Sequence, residues 1–131
     1  MINAYNITEQ TLSENDVISF DGFNFGRNRY TDSDSNNFTI TKSGVYEIEV
    51  SLNVAPTVAG QIQLDLIRNG AAISGGTILL PGATVGTFEN GSTKVIIPAI
   101  AGSTFSVRNS TPTNDITLSA RGASLIIKRV A

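Results

Sequence analysis

Glu47 and Glu49 stand two residues apart in Tyr46-Glu47-Ile48-Glu49-Val50, and a strand sets both carboxylates on one face. Paired carboxylates do the acid and base work of glycoside hydrolysis. Upstream, Asp32-Ser33-Asp34-Ser35-Asn36-Asn37 offers oxygens at alternate positions, so Asp32, Asp34 and Asn36 form a candidate site for a hard cation such as calcium. That loop is incomplete. Asn37 stands where a calcium loop needs glycine, and Ser43 where it needs a bidentate glutamate, so a solvated loop is the better account. Just before it, Arg27-Asn28-Arg29-Tyr30 sets two guanidiniums beside an aromatic ring, and Arg27, Arg29 and Tyr30 are candidate contacts for an anion or a sugar acid. Exposed arginines in a loop also serve solubility alone.

The 131-residue chain contains no histidine and no cysteine. The commonest general base and the thiolate nucleophile are both missing, and no nucleophile–base relay can be drawn. Zinc sites of the usual ligand types and disulfides go with them. The reading is therefore of a protein that is not an enzyme, with no cofactor beyond the calcium candidate. Four Asn-x-Ser/Thr sequons, at Asn6, Asn37, Asn90 and Asn109, are what chance gives in a chain rich in these residues.

The elements that position these groups read as strands. Tyr46, Ile48, Val50, Leu52 and Val54 alternate with Glu47, Glu49, Ser51 and Asn53, the period of two of a strand with one apolar face. Ala55-Pro56 is expected to end it, because proline lacks a ladder donor. Other expected strands cover 17–20, 23–25, 37–41, 61–67, 71–73, 77–80, 87–88, 93–97, 104–107, 116–120 and 124–130. Asn69-Gly70 marks a two-residue hairpin, since both positions tolerate φ > 0. Glu89-Asn90-Gly91 reads as a second interruption, and residues 9–16 are polar enough for a short helical turn. Short strands with frequent turns and no helical stripe give an all-β fold, a two-sheet antiparallel jelly-roll sandwich of about ten strands. One domain spans residues 1–131, with the strands and loops of 1–35 the least defined.

Ile78-Leu79-Leu80, Val95-Ile96-Ile97 and Leu125-Ile126-Ile127 are apolar on consecutive residues. A strand with one wet face has no use for such runs, and without helices to cover a sheet the second face points to another copy of the chain. If Leu125 and Ile127 face the core, Ile126 faces a neighbouring subunit. Charged residues make up only 15% of the chain, consistent with surface that is covered by subunits. A net charge of −2 leaves no basic footprint for nucleic acid. No apolar run reaches the ~20 residues of a membrane span, and Met1 to Asn6 carries no signal-peptide pattern.

From Phe38 onward the motifs resemble the C1q/tumour-necrosis-factor jelly-roll superfamily. The resemblance rests on Phe38-Thr39, then Gly44, Tyr46 and Ile48, then Arg68-Asn69-Gly70 closing a strand. Pro98-Ala99 with Gly102, and Gly122-Ala123-Ser124 entering the last strand, continue it. Thr41 departs from the family, where proline is common. Aromatic residues at 7%, with no tryptophan, look more like the C-terminal heads of bacterial collagen-like spore-surface glycoproteins, the BclA-like group. The resemblance implies a homotrimer about a three-fold axis. It also sets the last strand beside the Glu47 strand, so that Lys128 or Arg129 neutralises the glutamates within a sheet or across the axis; Ile126, Glu47, Glu49 and Lys128 are thus candidate interface residues.

The leading expectation is a trimeric head domain of a fibrous surface protein, extracellular or on a spore or virion, whose loops contact a cell-surface glycan or host receptor. A phage tail-fibre or baseplate head that recognises cell-wall saccharide is the second reading, and a monomeric carbohydrate-binding module the third. Collagen triplets before Met1 would mark the first, heptads or β-helix repeats the second, and a hydrolase domain the third. A native start at Met1 would remove the stalk.

Overall fold

A computed structural model describes residues 1–25, 31–33 and 36–131. The alternating segment forms the longest uninterrupted ladder, β6 (Gly44–Pro56), with Tyr46, Ile48, Val50, Leu52 and Val54 at most 1% exposed. The other strands are β1 (Ile2–Tyr5), β2 (Gln10–Leu12), β3 (Gly22–Phe25), β4 (Thr31–Ser33), β5 (Phe38–Ile40), β7 (Ile62–Arg68), β8 (Ala71–Leu80), β9 (Glu89–Ala99), β10 (Thr104–Asn109) and β11 (Ile116–Arg129). Every pairing is antiparallel. One sheet runs β3-β1-β11-β6-β9, with β2 also on β11, and the other runs β4-β5-β10-β7-β8.

The two sheets close over one apolar layer. Ile2, Ile48, Val50, Leu125 and Ile127 come from the first sheet, and Phe38, Ile40, Leu64, Leu66, Phe105 and Val107 from the second. Each fully buried side chain of this kind stabilises the fold by roughly 1.5–3 kcal/mol. Phe20 meets Phe38 edge to face with ring centroids 5.5 Å apart, a geometry that suits aromatic quadrupoles. At the strand's start, the Tyr46 hydroxyl donates to the Lys42 carbonyl at 2.5 Å and fixes the turn into β6.

Asn69 and Gly70 adopt φ 51° and 84°, the expected hairpin turn between β7 and β8. Several expectations need correction. Residues 9–16 form no helical turn: Gln10–Leu12 is a strand on β11, and Ser13 to Asp16 turn the chain back. Residues 17–20 make no full strand, only a bridge from Val17 to Arg108, because the Gln10 side chain takes both the amide and the carbonyl of Ser19. Asp32 and Ser33 lie in β4 rather than in a loop. β6 does end at Pro56, as expected of a residue without a ladder donor. The pairs 71–73 with 77–80, and 116–120 with 124–130, are single strands, each passing an irregularity in its pairing. In β11 Arg121 adopts φ 55° there.

Asn90-Gly91 is likewise no interruption: both pair within the β6–β9 ladder. Gly91 is needed for a different reason, since a Cβ there would stand 2.5 Å from Ile78 Cγ2 of the facing sheet. Pro98 is tolerated because β9 is an edge strand.

Candidate functional site

Strand register puts charged and apolar side chains together on the outer face of the six-stranded sheet. Glu47 lies across from Lys128 on β11 and Ile96 on β9, and Glu49 across from Ile126 and Lys94. The Lys128 ammonium reaches Glu47 Oε2 at 2.8 Å, and Lys94 reaches Oε1 at 3.5 Å. The hydrogen bond from Lys128, helped by the Lys94 charge, holds the Glu47 carboxyl below its usual range; the same bond raises Lys128. A glycosidase acid needs the opposite shift, so Glu47 is placed as an ion-pair partner.

Each apolar triplet turns its middle residue outward. Leu125 and Ile127 are fully buried, and Ile126 between them is half-buried on the outer face. Ile96 is 60% exposed beside the nearly buried Val95, and Leu79 is 55% exposed between Ile78 and Leu80. Ile96 and Leu79 lie on β9 and β8, edge strands of the two sheets, which meet where Thr93 Oγ1 donates to the Gly75 carbonyl at 2.8 Å. Each of these edge strands therefore exposes one large apolar side chain, and the face of the six-stranded sheet sets Ile126 and Ile96 among Glu47, Glu49, Lys94 and Lys128.

Of the expected partners for the glutamates, Lys128 is in place and Arg129 is not. Arg129 turns to the end of the sandwich, where its Nε donates to the Ser43 carbonyl at 3.3 Å. Lys94 was missed, and its only sequence signal is its place two residues before Ile96 in an alternating strand. Arg27, Arg29, Tyr30 and Asp34 lie outside the described residues, and of Asp32 only the backbone is described. Asn36 Oδ1 accepts a hydrogen bond from the Ser19 hydroxyl at 2.7 Å. Among the described residues no group of three or more acidic side chains is placed to hold a metal ion. Two of the sequon asparagines, Asn6 and Asn109, are fully buried and bonded to backbone, which makes them structural residues.

A second polar group lies on the outer face of the other sheet. Asp65, only 3% exposed, accepts from Thr77 at 2.5 Å and Gln63 at 3.2 Å. Burial raises its pKa, but hydrogen bonds from Thr77, Ser110 and Gln63 and the charge of Arg108 outweigh it, and the net direction is down. Its oxygens are committed within the fold.

Two antiparallel sheets in this strand order define a C1q/TNF-like jelly roll. The chain is similar to Eiger TNF from S. frugiperda at TM-score 0.76 and 11% identity, covering 100% of this chain and 92% of that one. It is similar to murine APRIL at TM-score 0.76 and 10% identity, covering 98% of each. The globular domain of zebrafish complement 1qA gives TM-score 0.74 and 10% identity, with 99% and 96% covered. Identities this low speak for the fold alone. The sequence goes further: the chain belongs to the BclA C-terminal domain family, which matches residues 3–131. No curated protein matches it.

Proposed function

We propose that this chain is the non-enzymatic, homotrimeric head of a surface or fibre protein, which trimerises the assembly and presents loops outward. The exposure of Ile96, on the same open sheet face as half-buried Ile126 and the Glu47–Lys128 pair, carries this reading. Leu79, on the edge strand of the other sheet, and the sheet face that carries Ile126 and Ile96 are different surfaces. Burying one against the other gives a head-to-tail contact, the kind that closes into a ring. Charge on the face is balanced, two glutamates with two lysines, so covering it leaves no unpaired excess.

Both chain ends lie at the start of β6: Ile2 pairs with Ile127, and the Val45 amide donates to the Ala131 carbonyl at 3.0 Å. Loops 57–61 and 81–88 lie at the opposite end, tied together where the Gly60 amide donates to the Gly82 carbonyl at 2.9 Å. A stalk at the termini would leave those loops outermost, which suits an extracellular position on a spore, cell or virion. Family membership supports a surface role. Sedimentation equilibrium tests the assembly: the expected mass is three times 13.8 kDa, and a monomer at micromolar concentration would sink the reading.

A further inference from the structure

We infer that the cleft between β2 and residues 16–21 binds a neutral sugar. The cleft has a volume of about 480 Å³ and is lined by Gln10, Asp16, Val17, Ser19, Asp21 and Asn36, among others. That volume is in the lower part of the ~300–1,000 Å³ range of small-ligand sites and fits one or two sugar rings. It is formed by one chain alone, so the inference deepens the surface-contact reading without depending on the trimer.

The polar groups are held in place. Gln10 clamps Ser19 by two bonds, Nε2 donating to the Ser19 carbonyl at 2.6 Å and Oε1 accepting from its amide at 3.0 Å. Asp16 Oδ2 accepts the Ser13 amide at 2.9 Å, and Asp21 Oδ1 accepts the Ile7 amide at 2.7 Å. Each carboxylate is thereby fixed by one oxygen and keeps the other for a ligand. The Ser19 hydroxyl, already bonded to Asn36, keeps acceptor capacity as well. Groups held this way lose little entropy when they bind.

Acceptors dominate, so the complementary ligand is rich in donors. Sugar hydroxyls supply donors at fixed spacing, and the apolar side chain of Val17 suits the C–H face of a ring. None of the described lining residues carries positive charge, and two carry negative charge. Repulsion therefore excludes sialic and uronic acids, the reverse of the selectivity expected of Arg27 and Arg29.

The test is ligand-observed NMR and calorimetry with methyl glucoside, galactoside and mannoside, N-acetylglucosamine and N-acetylneuraminic acid, and with calcium chloride alone. Wild type should bind at least one neutral sugar and not N-acetylneuraminic acid. Asp16→Asn and Asp21→Asn, which keep an oxygen for the backbone amide but replace the other by a donor, should each weaken binding at least about tenfold. Thr11→Trp, at an exposed lining position clear of the clamps, should block the cleft with melting unchanged. No neutral sugar bound, or binding that survives all three variants, overturns the inference. Tighter binding of the acidic sugar, or loss only in an Arg27→Ala/Arg29→Ala variant, also overturns it. Calcium binding that requires Asp16 and Asp21, with no sugar bound, replaces it by a cation site.

Discussion

Glu47 and Lys128 face each other across β6 and β11, 2.8 Å apart, and each shifts the other's titration outward. The carboxyl is lowered and the ammonium raised, so the pair stays ionised over a wider pH range than either group alone. Lys94 approaches the same carboxylate from the other side at 3.5 Å. One glutamate thus ties three neighbouring strands on the face proposed to meet other subunits.

A pH dependence follows from these directions. Unfolded glutamate titrates near about 4.3 and lysine near about 10.4. The lowered Glu47 contributes stability that is complete above its unfolded pKa and is lost as pH falls through its lower folded value. Lys128 contributes fully below its unfolded pKa and loses the contribution as pH rises through its higher folded value. Thermal melts across the acid range should show wild type falling in melting temperature below about pH 4. Glu47→Gln should flatten part of that fall and be less stable than wild type at neutral pH. Superimposable profiles would remove the pair from the stability of the fold.

Ile126→Asp probes the face itself. Its neighbours in register are Asn3 on β1 and Glu49 on β6, so no cation stands directly opposite to receive a new carboxylate. Burying such a charge between subunits costs several kcal/mol. Light scattering should show dissociation toward 13.8 kDa, or the protein should become insoluble. A soluble trimer with unchanged melting would refute the assignment of Ile126 to the interface.

The core of the fold was legible where local pattern and tertiary structure agree. The alternation from Tyr46 to Val54 specifies β6, and Asn69-Gly70 specifies its own turn geometry. Apolar triplets gave the direction of Ile126 because a strand has only two faces. What could not be read depends on partners distant in sequence. β1 has no marked alternation and exists because Ile2 to Tyr5 pair with Ser124 to Ile127. Gln10–Leu12 is polar and becomes a strand only by pairing with β11. Lys94 reaches Glu47 through a register that no local signal sets, and the Gln10–Ser19 clamp joins residues that share no pattern.

Asn6 is expected to be a stability residue despite its sequon. Its Oδ1 accepts the Ala123 amide at 2.8 Å, and its Nδ2 donates to the Ser119 and Thr8 carbonyls at 2.8 and 3.0 Å. These bonds pin the end of β1 to the irregular turn of β11. Asn6→Ala leaves a buried amide and carbonyls without partners and should cost about 1–3 kcal/mol. Urea unfolding should show a lower midpoint with the slope kept. Asn90→Ala, at an exposed position, should change stability by less than about 0.5 kcal/mol. Equal effects of the two would deny Asn6 its special place.

Gly91 separates two accounts of the Asn-Gly step in β9. If Asn90-Gly91 were a turn, glycine would be required for its backbone conformation, and the cost of Gly91→Ala would not depend on the facing sheet. In the observed strand the limit is space: an added Cβ would stand 2.5 Å from Ile78 Cγ2 and 3.1 Å from Leu80 Cδ2, both in the core. Gly91→Ala should then destabilise the protein by about 1–3 kcal/mol, the usual cost of overpacking. Ile78→Ala, which removes Cγ2, should alone cost about 2–5 kcal/mol by loss of a buried side chain. The double variant should be more stable than the sum of the two, because removing Ile78 Cγ2 relieves the crowding that alanine creates. Denaturant melts of the four proteins decide it. Simple additivity would mean that Ile78 does not limit the site and would return Asn90-Gly91 to a backbone role.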